Sequence, residues 1–171
     1  MQVTPEWMRM MARYNAWQNG WMLEAANGLS EADRTADRGA FFGSIAGTLS
    51  HVLWADSFWM HRFSGSPKPG DAVDGGAGNY PDWAAYRVER GAMDRQIETW
   101  AKGLSETDCA GTLRWYSGIM GRDVEKDRSH LFTHFFNHQT HHRGQVHGML
   151  TAAGVKTEDT DLAFMELPDG V

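Results

Sequence analysis

Disulfide chemistry is missing from this sequence, which holds a single cysteine, Cys109. No internal disulfide framework can form, so the fold must rest on buried apolar side chains, for which 171 residues suffice. Cys109 sits in a polar connector with no flanking basic residue to lower its pKa, and it reads as an incidental loop cysteine. Long apolar runs are missing too. No window approaches the ~18 apolar residues of a membrane span. The opening MQVTPEWMRMMARYNAW lacks the unbroken apolar stretch of a signal peptide. The expectations are no membrane partner and a cytoplasmic location. Basic charge is short, at 16 Lys and Arg against 22 Asp and Glu, a net −6 that argues against a dedicated nucleic-acid binder. Internal repeats and low-complexity segments are absent. With 42% apolar and 22% charged residues the chain reads as one folded domain over 1–171.

Apolar periodicity supplies the elements. Thr4-Pro5 is a helix start, and Trp7, Met11, Tyr14, Gln18, Trp21, Met22 and Ala25 recur at three- and four-residue steps, predicting a first helix over about 5–27. Residues 29–40 are a polar connector. A second helix is predicted from about Phe41 to Phe63, with Phe42, Ile45, Leu49, Val52 and Trp59 as its stripe. Proline is scarce, and three of the five (Pro67, Pro69, Pro81) fall with five glycines in the segment 64–81. A connection of that length suggests a crossover between parallel or non-adjacent helices. A third helix follows over about 82–102, then a non-helical stretch over 103–123 with a short extended piece at 112–116. A fourth helix is predicted over about 125–153. The acidic tail 155–171 retains Leu162, Phe164, Met165 and Leu167, which predicts that it packs back on the domain. Four helices of roughly 30–43 Å suit an all-α four-helix bundle.

Histidine is abundant where cysteine is not. Six of the eight (His130, His134, His138, His141, His142, His147) fall within 18 residues on the fourth helix. His134/His138 and His138/His142 each have the four-residue spacing that lets two imidazoles share one ion, and spacing alone does not choose between them. Helical phase does. The inward stripe is predicted as Leu131, Phe135, His138, His142, Gln145, Met149 and Ala152, with His134 at its edge. A third ligand must come from another helix. His51 is the best placed, because His61 lies at the end of the second helix beside the glycine-rich loop. Ser44, Gly47, Thr48 and Ala55 around His51 are small. They leave room for an ion, or for close helix packing with His51 bonded to a carbonyl. Thr48 and Gln145 are candidates to orient the imidazoles. Asp56 and Arg143 point away from that face and read as packing or interface contacts. The tryptophans read as core or dimer-contact residues.

HVLWAD at 51–56 and NHQTHHRGQ at 137–145, with YNAWQN at 14–19 and DTDL at 159–162, together resemble the DinB/YfiT-like metalloenzyme family. This is the DNA-damage-inducible family, not the polymerase that shares its name. The resemblance spans essentially the whole chain. It implies an up-down-down-up four-helix bundle with a long loop between its second and third helices. It also implies a metal site of His51, His138 and His142 and a homodimer. By the same resemblance the metal would be a divalent zinc, nickel or iron ion, and the better-defined relatives are S-transferases or isomerases that use a low-molecular-weight thiol. Three protein ligands leave an open position, which suits catalysis on a small-molecule substrate. No Asp or Glu lies on the His138/His142 face, which favours thiolate delivery over hydrolysis. The alternatives are a metal-dependent hydrolase and a non-catalytic metal- or ligand-binding stress protein.

Overall fold

Side-chain caps set the starts of the four long helices. In the computed structural model, which describes residues 3–118 and 120–166, α1 spans Pro5–Asn27. Thr4 accepts the Trp7 amide, and Pro5 occupies the first turn, where its missing N–H has no helical partner to lose. α2 is one turn, Glu31–Thr35, capped by Ser30. α3 runs over Ile45–Ser64 from its Ser44 cap to a left-handed Gly65. α4 spans Trp83–Lys102 from its Asp82 cap, and α5 is the short turn Glu106–Cys109. A hairpin of β1 (Thr112–Ser117) and β2 (Arg122–Asp127) precedes α6, Arg128–Ala152, whose cap Asp127 accepts the His130 amide. Short 3-10 turns occupy Asp74–Asn79 and Leu162–Phe164.

The chain is thus mostly helical, with a small sheet that the all-α expectation omits. β2 is charged and shows no apolar alternation, so its sequence does not announce a strand. It is held by its antiparallel register with β1, Thr112 opposite Asp127, and by cross-strand bonds from Thr112 to Glu125 and from Arg114 to Asp123. The strand also delays α6, which begins at Arg128 and not near 125. α3 likewise begins at Ile45 and not at Phe41. Gly43 (φ 70°) closes a tight turn bridged between Ala40 and Gly43, and helix can start only after Ser44 caps it. One turn of helix interrupts the polar connector because Ser30 accepts from the Asp33 amide.

α1 packs against α4 and α6, and α3 packs against the same two. Trp83 at the start of α4 bonds Asn27 at the end of α1, while Val3, just before α1, donates to Ser129 at the start of α6. Tyr86 of α4 donates to the Leu49 carbonyl of α3, and Phe63 of α3 packs edge-on against Phe132 of α6. Apolar burial divides into two clusters. One gathers Met8, Ala12, Met60, Ile97, Phe132, Phe135 and Phe136; Cys109 belongs to it, fully buried, so it is a core residue and not an incidental loop cysteine. Burial and the nearby Glu106 and Asp108 push its thiol pKa up, which keeps it protonated and unreactive. The other gathers Met22, Ala26, Ile45, Leu49, Tyr86, Val146 and Leu150.

A buried polar layer separates them. Arg90 pairs with Asp56 at 2.6 Å and with Asp94 at 2.8 Å. Gln139 donates to Asp56 at 2.8 Å, Asn19 donates to Asp94 at 2.8 Å, and Arg143 donates to Asn15. Asp56 and Arg143 are therefore packing contacts at the centre of the molecule. The acidic tail docks by a different route from the predicted one. Tyr14 donates to the Thr160 carbonyl and Gln18 to the Asp159 carbonyl, while Leu162 and Phe164 stay exposed. Leu167 and Asp169 lie outside the described residues.

Removing one member of a buried pair leaves an uncompensated charge. Arg90→Met is expected to lower unfolding free energy by about 3–5 kcal/mol in urea titrations. Arg114→Met, at the exposed pair with Asp123, leaves the midpoint where it is.

Candidate metal centre

Three of the eight histidines converge. His51 on α3 and His138 and His142 on α6 bring one ring nitrogen each to within 4.8 Å of one another. The His51 and His138 Nε2 atoms are 3.0 Å apart, and the His142 ring lies 4.6 Å from that of His51 and 4.5 Å from that of His138. Tetrahedral coordination at ~2.0–2.1 Å separates ligand nitrogens by about 3.3 Å, so small side-chain adjustments bring all three onto one ion.

Two of the rings are oriented by acceptors. His51 Nδ1 donates to the Gly75 carbonyl at 2.5 Å, and His142 Nδ1 donates to Gln145 Oε1 at 2.8 Å. Each bond fixes the proton on Nδ1 and turns the Nε2 lone pair toward the shared point, the arrangement that metal-ligating histidines use. Burial lowers the pKa of His51 and of His142. Burial and the flanking imidazoles push His138 down to about 3. All three are neutral at pH 7, which is the ligand form. No carboxylate or thiol completes this set among the described residues, so a bound ion has three protein donors and room for a fourth ligand. The donor set fits a borderline transition metal such as zinc, nickel or iron.

The remaining histidines go elsewhere. His134 packs edge-on against Trp59, and His61 donates to the Ser66 carbonyl. His147 bonds Thr157 and meets Trp21. His130 and His141 are exposed. Of the two orienting candidates Gln145 reaches a ring, whereas Thr48 donates to the Ser44 carbonyl within its own helix. The inward face of α6 is broader than predicted. Phe132, Phe136, Gln139, Arg143, Val146 and Leu150 are buried as well, because α6 meets both α1 and α3, whereas Ala152 is exposed near the helix end.

Two contributors are not evident from spacing. Phe42 stacks on His51 at 3.8 Å between centroids and covers one face of the centre. It is held there because Gly47 has no side chain: a Cβ at that position would lie 2.5 Å from the Phe42 carbonyl oxygen. The Gly75 carbonyl arrives on the long loop between α3 and α4. Gly75 (φ 67°) and Gly76 (φ 97°) make its turn, and a Cβ on Gly76 would meet Trp54 at 2.9 Å. The signal was the Gly75-Gly76 pair itself, which marks a turn but not its destination.

A family model described as DinB family matches residues 1–169. The chain is also 29% identical over 154 residues to Protein DinB of Bacillus subtilis (strain 168), an alignment that covers 86% of this chain and 87% of the relative.

His51→Ala, His138→Ala and His142→Ala are each expected to abolish stoichiometric metal in elemental analysis of purified protein, while His134→Ala and His147→Ala retain it. Gln145→Leu and Gly76→Ala are expected to weaken metal affinity about 10–100-fold in chelator competition, with Thr48→Ala unchanged.

Proposed function

The chain belongs to the DinB family, and from that premise we propose that it is a metalloenzyme of thiol S-transfer or isomerisation. His51, His138 and His142 are its metal ligands, and a low-molecular-weight thiol is its cosubstrate. The observation that carries this reading is the donor set: three neutral imidazoles within 4.8 Å, with no fourth protein ligand among the described residues. A divalent zinc, nickel or iron ion held there supplies Lewis acidity, which keeps a thiol deprotonated at neutral pH.

The protein's own part is positional. Gly75 and Gln145 hold the ring protons on Nδ1, and Phe42 shields one side from water. Hydrolysis is less well served. A water nucleophile calls for a positioned base, and the buried carboxylate next along α3, Asp56, is engaged by Arg90 and Gln139. A thiol needs only to lose its proton to solvent, so thiol delivery suits this centre better. A purely metal-storing role has no structural feature of its own in its favour.

In the same reading the domain over 1–171 is an up-down-down-up four-helix bundle. Support comes from the pairing of α1 and α3 each with both α4 and α6, and from the long α3–α4 connection. It acts on a small molecule as a cytoplasmic homodimer, and no nucleic-acid or membrane partner is proposed. No helix among the described residues is long and apolar enough to cross a membrane.

The test is metal-dependent conjugation. Metal-loaded protein is expected to accelerate the reaction of at least one biological thiol with monochlorobimane, followed by fluorescence, and a chelator should abolish the acceleration. His138→Ala should be inactive. Failure with every thiol of a broad panel, together with metal-dependent ester or amide hydrolysis, would replace transfer by hydrolysis.

A further inference from the structure

Arg62, about three turns along α3 from His51, is a cation with an unusual environment. Its guanidinium carbon lies 4.2 Å from the Phe58 ring centroid, 4.7 Å from that of Trp59 and 5.0 Å from that of Trp115 on β1. Among the described residues no carboxylate pairs with it. The three rings strip part of its hydration, and burial lowers its pKa to about 10, so it stays charged at neutral pH. Cation–π attraction offsets some of that loss, but it gives the N–H groups no acceptor. A planar donor fork with one apolar side covered is suited to a carboxylate.

The walls around Arg62 are continuous with the histidines. Trp59 meets His134 at 5.4 Å, and His134 lies 5.7 Å from His138. On α3, Phe58 stacks on Trp54 at 5.1 Å, one turn from His51. Helical side chains lean toward the N-terminus, and the Arg62 head accordingly lies over Phe58 and not beyond its own Cα. Phe58 is seven residues from His51, about 10 Å along the axis at 1.5 Å per residue. One aromatic surface therefore has the three imidazoles at one end and an unmatched positive charge at the other.

We infer that Arg62 is the anion-binding end of the ligand site, and that the ligand is a small organic thiol carrying a carboxylate about 10 Å from its sulfur. This assignment rests on the thiol reading of the metal centre. On binding, the thiol proton would pass to solvent, the thiolate sulfur would take the open position on an ion held by the three histidines in place of a solvent molecule, and the carboxylate would accept from the Arg62 N–H groups; no bond to carbon is made or broken. The aromatic walls contact the aliphatic or planar segment between the two ends. In a chain of net charge −6, such a site selects an anionic ligand by a local pairing and not by overall attraction.

The test compares 6-mercaptohexanoate with uncharged 6-mercaptohexan-1-ol on full-length, cobalt-loaded protein. Sulfur-to-cobalt absorption reports the metal end, and the Trp59 and Trp115 indole N–H resonances report the Arg62 end. The acid is expected to bind about tenfold more tightly than the alcohol, the size of one charge-assisted pair, and to shift both indoles. Arg62→Met, which keeps an apolar stem, should bring the two affinities together without altering metal content. Arg62→Lys should restore part of the preference. Equal affinities in the unmodified protein, or Arg62→Met lowering only the Tm, would overturn the assignment and leave Arg62 as a staple between α3 and the hairpin. Indole shifts that distinguish acid from alcohol without a cobalt band would instead overturn the thiol reading and keep the anion site.

Discussion

The ion pair between Arg90 and Asp56 sets the register of the helices around it. Both side chains are 1% exposed, and each offsets its desolvation by meeting the other, with Asp94 as a second partner of Arg90 and Gln139 as a second partner of Asp56. Asp94, Asn15, Asn19, Gln139 and Arg143 complete the layer, so each of α1, α3, α4 and α6 contributes at least one group. Apolar contacts above and below tolerate sliding, because one leucine or phenylalanine can replace another. Charged hydrogen bonds do not. A shift of one turn along any helix would strand an ion in a low-dielectric interior.

That register is what places the histidines. Gln139 bonds Asp56, and the residue before Gln139 is His138. Asp56 lies five residues after His51, and the antiparallel run of α3 and α6 then brings His51 level with His138 and His142. The three-histidine cluster is thus built one layer out from the ionic core. The rigidity needed to hold three imidazoles ready for a common ion is inherited from a network that touches none of them directly.

Much of this was readable from the chain. Helical phase alone separated His138 and His142 from the four other histidines around them, because burial follows phase and the four-residue spacing survives in α6. His51 was reachable by elimination among two histidines outside that helix. The long helices followed from apolar periodicity, and their starts followed where a capping residue stood before a clear stripe, as at Thr4. The start of α3 departs from the apolar pattern because Phe41 and Phe42 extend that pattern backward, while a left-handed Gly43 stops the helix. β2 carries no strand signal because its residues are charged and its support lies in its partner. Thr48 and Gln145 looked equivalent by spacing, yet a short hydroxyl bonds its own helix and a longer amide reaches the imidazole. The Gly75 carbonyl carries no side-chain signature, and its contact with His51 arises only from the path of the folded loop.

That last contact gives the centre an uneven vulnerability. His142 is oriented by a side chain, and a single codon can remove it. His51 is oriented by a main-chain oxygen, which every residue possesses, so substitution at position 75 cannot delete the acceptor but only move it. The weak point is mechanical. The loop spans 66–81 on the surface, and a single proteolytic cut there would leave all the long helices intact while freeing the strand of chain that steers His51. The protein would then keep its helical content and melting behaviour while losing the geometry that brings the three imidazoles together, which makes the loop the place where turnover of the site and turnover of the fold come apart.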